Sequence, residues 1–319
     1  MTDTTPQISA ADRPGEGEFR DYLALLKPRV MRLVVFTCIA AMLAAPTSVP
    51  LPVAIACLLC IAVGAGAAGA LNMWWDADID ARMARTRQRP IPQGRVHPDA
   101  ARDFGIGLAI LSVVLLAAVG NPLSAGLLAF TVVFYAVVYS IWLKRRTPQN
   151  IVIGGLAGAL PPAIAWAAVT GEIAAAPTLM VLTIFLWTPP HFWALALYRN
   201  ADYARVGVPM LPVVAGETET RRQIWGYSIA LAPAPVALAM TEAGGPVTLL
   251  AALLSMTAFL RGAWIVRRRD EAAAIADGYR SERRLFAVSI ICLFAIFGAL
   301  IGDRGLRALL PALDWPVWI

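Results

Sequence analysis

A series of long apolar blocks with few or no charges constrains this sequence most, because each block is long enough to cross the hydrocarbon core of a bilayer. Hydrophobic residues make up 59% of the chain and charged residues 15%, whereas about a quarter of a soluble domain is charged. The pattern predicts an all-α integral membrane protein with about nine transmembrane helices. The predicted spans are approximately residues 30–47, 52–72, 104–120, 123–143, 150–169, 177–197, 224–241, 246–266 and 285–302.

Basic residues alternate between the segments that connect these blocks. The connections after the second, fourth, sixth and eighth spans carry Lys or Arg, and those after the first, third, fifth and seventh carry none. By the positive-inside rule the N-terminus lies in the cytoplasm and the C-terminus outside, although Arg304 and Arg307 do not follow the rule. The connections after the second, sixth and eighth spans are also long, and long loops are usually functional. We therefore expect the chemistry at the cytoplasmic face.

The first 25 residues are polar and differ in this respect from the rest of the chain. They predict a disordered cytoplasmic tail over residues 1–25, followed by a single transmembrane domain over residues 26–319. The net charge of +6 is gathered in loops, without zinc-finger spacing or a basic stretch interleaved with aromatic residues. A nucleic-acid partner is therefore not expected.

Three oxygen-bearing side chains follow one another at the end of the second span. Asn72, Asp76 and Asp80 are spaced four residues apart, which places them in a row on one face of a helix. Carboxylate and amide oxygens suit a hard cation, above all Mg²⁺, which keeps coordination positions open for phosphate. The alternative is a solvated helix end whose charges pair with one another. Asn72 lies at membrane depth, where polar side chains usually serve a function, and this favours the metal.

Basic side chains follow this row and also end the fourth span. Arg85 and Arg89 come shortly after Asp80 and are suited to binding phosphate oxygens. Lys144 and Arg145 are topology anchors that could also bind phosphate. Asp78 points to another face of the helix and is interpreted as a surface charge.

One further acid, Asp202, follows the sixth span, with Arg199 and Arg205 beside it. Taken alone, an aspartate in a loop is more often a helix cap or a salt-bridge partner. Paired with the row at the end of the second span, it could form the opposite wall of a metal–diphosphate site. Asp202 and Arg199 are therefore candidates whose role depends on that pairing.

His191 lies in a PPHFW segment, within or near the cytoplasmic half of the sixth span. A histidine inside a span is costly enough to suggest a purpose. Haem ligation, proton transfer and a hydrogen bond to a carbonyl freed by Pro189–Pro190 all remain open. The other histidine, His97, lies in a polar loop and is interpreted as solvated.

Several segments together resemble one family. The NxxxDxxxD spacing of the aspartate row is that of the intramembrane polyprenyl-transferase superfamily. The chain is further similar to one branch of it, the protohaem IX farnesyltransferases (haem O synthases), over nearly its whole length outside the N-terminal tail. This similarity rests on KPR (27–29), NMWWDADIDARMARTRQRPIPQG (72–94), WLKRRTPQNIVIGGLAGALPPAIAW (142–166) and PHFWALALYRNADYARVGVPMLPVVAG (190–216).

The resemblance implies nine helices around a central cavity, with cytoplasmic cap loops. It also implies transfer of the farnesyl group of farnesyl diphosphate to a vinyl group of haem B, giving haem O and diphosphate. The implied catalytic residues are Asn72, Asp76, Asp80 and Asp202, of which Asp76, Asp80 and Asp202 would hold the cofactor Mg²⁺. Charge complementarity to the diphosphate makes Arg85, Arg89, Lys144, Arg145 and Arg199 its expected ligands, and haem contact is the first expectation for His191.

The second acidic motif departs from the superfamily pattern DxxxD, because Tyr198 holds its first position and Asp202 its second. Close relatives often place two acids before the following tyrosine, where this chain has Ala201–Asp202. The second wall therefore has one carboxylate, and the number of Mg²⁺ ions stays open. Relatives often have Trp-Gln where Trp187–Thr188 stand here.

The expected partners are farnesyl diphosphate, haem B and the lipid bilayer of the bacterial cytoplasmic (inner) membrane. A downstream haem A synthase or terminal oxidase is a further candidate. One rival function is prenyl transfer to another acceptor, an aromatic acid or a quinone precursor, which the PHFW and GVPMLPV segments disfavour. The other rival is a transporter, which predicts ionisable residues deep within spans, whereas the acids here cluster at one membrane edge.

Overall fold

The computed structural model describes residues 17–310 and 315–318, and helices are the only regular secondary structure in these ranges. Most of the predicted tail, residues 1–16, lies outside them. The first half of the chain forms α1 (Phe19–Leu25), α2 (Pro28–Ala44), α3 (Leu51–Trp75), α4 (Ala77–Arg82), α5 (Pro98–Val119), α6 (Pro122–Val133) and a π-helical segment (Phe134–Leu143) that continues α6. The second half forms α7 (Asn150–Ala159), α8 (Pro161–Thr170), α9 (Ala175–Tyr198), α10 (Asn200–Arg205), α11 (Leu211–Leu231), α12 (Pro233–Ala239), α13 (Pro246–Arg267), α14 (Glu271–Ala276) and α15 (Arg280–Leu309).

Seven helical stretches in the described part of the chain are long and apolar enough to cross a membrane. They are α3, α5, α6 with its π-helical continuation, α7 with α8, α9, α13 and α15. The predicted span at 30–47 corresponds to α2, which has 17 residues. The predicted span at 224–241 is divided between α11 and α12, since the helix is interrupted before Pro233. An all-helical membrane fold is therefore confirmed, while the count of nine spans stays a prediction.

Proline marks the start of several helices. Pro28, Pro98, Pro122, Pro161 and Pro246 each occupy the first helical position, where the missing N–H is not needed and the fixed φ suits the helix. In the assembled bundle α3 packs on α5, α13 on α15, α9 on α11, and α2 on α8.

The π-helical segment at Phe134–Leu143 carries two tyrosines towards the interior. Tyr135 and Tyr139 stack with their ring centroids 5.2 Å apart. The Ser140 hydroxyl donates to the Tyr135 carbonyl at 2.8 Å. Such local widening of a helix is frequent at functional sites, and both tyrosines line cavities of the bundle.

Small residues of α7 allow this segment to approach closely. Gly154 lies against the Tyr139 ring, where a Cβ atom would overlap ring carbons. A Cβ on the next residue, Gly155, would be 3.0 Å from the Thr188 side chain of α9. Gly154 and Gly155 are therefore packing positions, as small residues in membrane helices usually are.

Gly154→Ala is expected to destabilise the protein by about 1–3 kcal/mol, because the added methyl group overpacks a filled interface and displaces Tyr139. A lower midpoint of thermal unfolding in detergent would report the change. Gly126→Ala in α6 is the matched control, since no atom lies within 4 Å of its added Cβ. Equal midpoints for both variants would contradict the packing role of Gly154.

Candidate active site

A polar pocket of about 220 Å³ lies where α3 ends and α4 begins. Its lining includes an unusual concentration of charge for the interior of an apolar bundle. The charged and amide side chains that line it are Lys27, Asn72, Asp80, Arg85, Arg89, Lys144 and Asn150. Tyrosines and apolar residues complete the wall: Val30, Ile79, Met83, Tyr135, Tyr139, Ile151, Phe192, Tyr203, Val208 and Met210.

The predicted row of Asn72, Asp76 and Asp80 keeps its helical spacing across the junction between α3 and α4. Helical hydrogen bonds cross it, from Asp76 N to the Asn72 carbonyl at 3.0 Å and from Asp80 N to the Asp76 carbonyl at 2.8 Å. All three side chains are at least 95% buried. Because the four-residue register is kept, the row lies on one face as the spacing predicts.

Asp76 is the most enclosed member of the row. Its Oδ2 atom accepts hydrogen bonds from Asn72 Nδ2 at 2.7 Å and from the Lys144 ammonium group. Its Oδ1 atom is buried without a hydrogen-bond partner among the described residues, and the Arg145 guanidinium lies 3.9 Å away. A buried carboxylate oxygen left in this way is costly, so it suits a cation as ligand. With the nearby Asp80 carboxylate, this oxygen donor set fits Mg²⁺.

Asp80 is held by the loop that follows α4. Its Oδ2 atom lies 2.5 Å from the Arg89 guanidinium. The buried Thr86 hydroxyl donates to the Asp80 carbonyl at 3.0 Å and fixes the turn between them. Arg85 lines the same pocket. The structure therefore brings Arg85, Arg89 and Lys144 to the aspartate row, as predicted from the sequence.

Lys27 is a residue of this pocket to which sequence reasoning gave no role, although the KPR segment contains it. It precedes α2 in a left-handed backbone conformation, and its ammonium group donates to Asn72 Oδ1 at 2.7 Å. Burial, together with the neighbouring Arg89 and Lys144 cations, lowers the pKa of Lys27 to about 7. An anion entering the pocket would favour the charged form of this amine.

A second, larger cavity of about 500 Å³ adjoins the polar pocket. The two cavities have five lining residues in common, which are Val30, Tyr135, Tyr139, Ile151 and Phe192. The remaining lining of the larger cavity is mostly apolar and comes from α2, α7, α9 and α15: Arg29, Arg32, Leu33, Val34, Thr37, Gly154, Gly155, Gly158, Ile184, Trp187, Thr188, His191, Ile290, Leu293 and Phe294. A charged pocket thus borders a cavity suited to an apolar molecule.

His191 lines this larger cavity and is fixed by aromatic stacking. Its ring lies between Trp187, at 4.1 Å and 18°, and Phe286, at 4.4 Å and 22°. Its Nδ1 atom lies 2.6 Å from the Ser289 hydroxyl oxygen. That hydroxyl donates its proton to the Phe286 carbonyl at 2.6 Å, so it accepts from Nδ1–H of His191. A neutral imidazole that donates from Nδ1 carries its lone pair on Nε2, the atom that can bind a metal.

Asp76 is fully buried behind the wall of the polar pocket, and three further residues predicted for the metal–diphosphate site also lie outside its lining. Asp202, in α10, pairs with Arg205 at 3.4 Å. Arg199 lies over the Tyr198 ring, with its guanidinium carbon 5.9 Å from the ring centroid. The third, Arg145, has its main partner in Asp78, at 2.6 Å.

Consequently, no group of three or more Asp, Glu, His or Cys side chains is placed to hold a metal ion within the described ranges. Asp202 is adjacent in sequence to Tyr203, which does line the polar pocket.

Other pocket residues had no sequence signal. Tyr135, Tyr139 and Asn150 line the polar pocket from the π-helical segment and α7. Ser289, which orients His191, is one hydroxyl in an apolar span and is 98 positions away in sequence. Only the packing of distant helices identifies these residues.

The chain is similar to known proteins over nearly its whole length. The model of the UbiA prenyltransferase family matches residues 33–279. A protoheme IX farnesyltransferase of Jannaschia sp. (strain CCS1) is 54% identical, over 95% of this chain and 98% of its own. One from Dinoroseobacter shibae is 56% identical, over 91% of this chain and 92% of its own.

Solved structures share the fold at much lower identity. A structure described as that of a digeranylgeranylglyceryl phosphate synthase in membranes has a TM-score of 0.71 at 14% identity, over 89% of this chain and 98% of its own. A UbiA homologue from Archaeoglobus fulgidus bound to DMAPP and Mg²⁺ has a TM-score of 0.61 at 16% identity, over 86% of this chain and 99% of its own. With the helical membrane fold and the family match together, the chain belongs to the UbiA prenyltransferase family.

Proposed function

We propose that this protein transfers the farnesyl group of farnesyl diphosphate to a vinyl group of haem B, with addition of water, to give haem O and diphosphate. The observation that carries the proposal is the adjacency of the two cavities, which share five lining residues. A cationic pocket suits the diphosphate, and an apolar cavity beside it suits the isoprenoid and the tetrapyrrole. The relatives named protoheme IX farnesyltransferase, at 54% and 56% identity, support the same reaction.

Asn72, Asp76 and Asp80 would hold Mg²⁺ on one side of the polar pocket. The ion supplies positive charge to the diphosphate leaving group. The unpartnered Oδ1 atom of Asp76 supports this assignment, as does the Archaeoglobus fulgidus homologue described as bound to DMAPP and Mg²⁺. Asp202 is proposed as a ligand from the opposite side, although its present partner is Arg205.

The basic residues exchange partners when substrate binds. Without an anion, the cations Lys144 and Arg89 neutralise the acids Asp76 and Asp80. Phosphate oxygens would attract Lys144, Arg89 and Arg85, and Asp76 and Asp80 would then be free to hold Mg²⁺. Preformed charge of this kind stabilises the diphosphate as negative charge develops on it. Arg145 and Arg199 are proposed to bind the diphosphate from outside the pocket.

The apolar cavity protects the allylic cation. The C1–O bond of farnesyl diphosphate breaks, and its electron pair leaves with the diphosphate. The vinyl π electrons of haem B then form a bond to C1, which leaves a carbocation next to the ring. Water adds to that carbon and loses a proton, which gives the hydroxyl group. Water that entered earlier would capture the farnesyl cation, so the apolar lining serves selectivity.

His191 is proposed to contact the haem, with its Nε2 lone pair directed to the iron of this substrate. The stacked rings of Trp187 and Phe286 fix the plane of the imidazole, and Ser289 fixes its tautomer. Among the interpretations left open by the sequence, haem contact fits this arrangement best. A hydrogen bond to a carbonyl freed by Pro189–Pro190 would need a ring nitrogen, and Nδ1 is engaged by Ser289.

The direct test is turnover by the purified protein in nanodiscs with haem B, farnesyl diphosphate and Mg²⁺. Chromatography and mass spectrometry should detect haem O. If farnesyl diphosphate is consumed without haem O, the acceptor is wrong, and aromatic acids and quinone precursors become the acceptors to screen. If a folded sample neither binds nor consumes farnesyl diphosphate, prenyl transfer itself is refuted and transport has to be tested.

Asp202→Asn is expected to raise the Mg²⁺ concentration for half-maximal activity about tenfold, since one ligand of the metal–diphosphate site loses its charge. Rates measured against free Mg²⁺ would show the shift. Asp99→Asn is the matched control, because Asp99 also pairs with an arginine three residues later, at 2.9 Å. An unchanged Mg²⁺ dependence in Asp202→Asn would limit Asp202 to its pair with Arg205.

The proposed location is the bacterial cytoplasmic membrane, with the N-terminus in the cytoplasm and the C-terminus outside. The complete alternation of basic connections along the chain supports this orientation. The polar pocket, at the junction of α3 and α4, then lies towards the cytoplasmic side. A haem A synthase or a terminal oxidase is the proposed recipient of the product.

A further inference from the structure

Two arginines at the start of α2 line the larger cavity. Arg29 and Arg32 are three residues apart, so they lie on the same face of the helix. Both line the same cavity as Trp187 and His191. The rest of the lining of this cavity is mostly apolar. Both arginines are exposed, which places them at the rim of the cavity and not in its depth.

Neither arginine has a carboxylate partner within the described part of the chain, and the acids next to α1 and the polar pocket are engaged by other cations. Asp21 of α1 pairs with Arg95 at 2.8 Å, and Glu18, which precedes α1, pairs with Arg20 at 2.8 Å. The acids of the polar pocket pair with Arg89 and Lys144. Two adjacent positive charges beside an apolar cavity therefore lack a counter-charge, and an anionic group is the ligand that such a pair recognises.

The proposed substrates differ in where their charge lies. The diphosphate belongs in the polar pocket, which has its own four cations, Lys27, Arg85, Arg89 and Lys144. The farnesyl chain is uncharged. Haem B carries two propionate carboxylates on one edge of an otherwise apolar ring, and its vinyl groups lie away from that edge. Two carboxylates match two guanidinium groups in number and in chemistry.

We propose that Arg29 and Arg32 bind the propionate carboxylates of the tetrapyrrole at the rim of the larger cavity and thereby hold the ring beside the wall that the two cavities share. This inference rests on the proposed function and assigns residues that recognise its acceptor. The shared wall contains Tyr135, Tyr139 and Ile151, so a vinyl group there faces the pocket that holds the diphosphate. Lipid phosphate at the membrane surface is the other source of anionic oxygen for these arginines.

The test compares haem B with its dimethyl ester, which keeps the ring, the iron and the vinyl groups but has no carboxylate. In phosphatidylcholine nanodiscs, the wild-type protein should bind haem B about tenfold more tightly than the ester. Arg29→Gln/Arg32→Gln should bind both equally, at the affinity that the wild type has for the ester. The KM for farnesyl diphosphate should not change. Arg29→Lys/Arg32→Lys should restore part of the discrimination.

Arg284→Gln is the matched control, because Arg284 is exposed at the start of α15 and lies outside both cavities. It should discriminate between haem B and the ester as the wild type does. Equal discrimination by the glutamine double variant and the wild type would overturn the proposal. So would a defect of the double variant that occurs only when anionic phosphatidylglycerol is present, since that result assigns the arginines to lipid phosphate.

Binding is measured by absorbance titration, which needs no turnover. Failure of the proposed reaction would appear as absence of haem O in the wild type. Failure of the present inference would appear as unchanged discrimination between haem B and its ester. The two outcomes are therefore separate.

Discussion

Asp76→Ala is expected to lower kcat for haem O formation by about 10²–10³-fold, the effect of removing one group that stabilises developing charge. The substitution removes the unpartnered oxygen proposed to bind Mg²⁺ and the acceptor for Asn72 and Lys144. Lys144 would then be a partly buried cation without its partner, which also weakens the preformed pocket. Chromatographic measurement of haem O at saturating substrates gives the rate.

Asp78→Ala is the matched control for this variant. Asp78 lies two residues later, is exposed, and pairs with Arg145 at 2.6 Å and 3.0 Å. Its removal should leave the rate within a few-fold of wild type, because exposed ion pairs contribute little. Asp76→Asn keeps the shape of the side chain and separates loss of charge from misfolding. A rate for Asp76→Asn close to that of Asp78→Ala would refute the metal-binding role.

His191→Ala is expected to weaken haem B binding by about 100-fold. This is the upper end of the loss in metal affinity that follows when a residue supporting a metal site is removed. The variant loses both the Nε2 lone pair and a ring stacked between Trp187 and Phe286. Farnesyl diphosphate binding should not change, because His191 lines the apolar cavity and not the polar pocket. Absorbance titration with haem B and calorimetry with farnesyl diphosphate measure the two affinities separately.

Two further variants define what His191 does. Ser289→Ala keeps the imidazole but removes the hydrogen bond that holds the proton on Nδ1. Haem affinity should therefore fall about tenfold, and the iron–histidine vibration should shift or broaden. His97→Ala removes the exposed histidine that precedes α5 and should leave haem binding unchanged. If His191→Ala keeps wild-type affinity and the absorbance spectrum of bound haem, then the histidine is not an iron ligand.

Much of the fold follows from local sequence properties. The apolar blocks predict where the long helices lie, because the backbone N–H and C=O groups of a span must hydrogen-bond within that span. The prediction holds least well at 224–241, where Pro233 divides the helix and the boundary depends on packing. The aspartate row was also predictable, since a four-residue spacing needs only helical geometry to place Asn72, Asp76 and Asp80 together.

The site as a whole was only partly predictable. Arg89 and Lys144 were predicted as phosphate ligands, and the structure pairs them with Asp80 and Asp76. Lys27 was missed as a pocket residue, although it binds Asn72 across 45 positions in sequence. Asp202 was expected opposite the row, but its side chain pairs with Arg205 in its own short helix. Such contacts depend on how each helix is rotated about its axis, which hydropathy does not specify.

The sequence by itself therefore determined that this protein is a helical membrane protein with a polyprenyl-transferase motif, because hydropathy and helical periodicity act within a single segment. Only the tertiary structure decided that a charged pocket shares a wall with an apolar cavity, and that Ser289 orients His191. The physical reason is that these features join side chains from helices far apart in sequence. Their positions are set by close packing, as where Gly154 admits the Tyr139 ring, and no single segment carries that information.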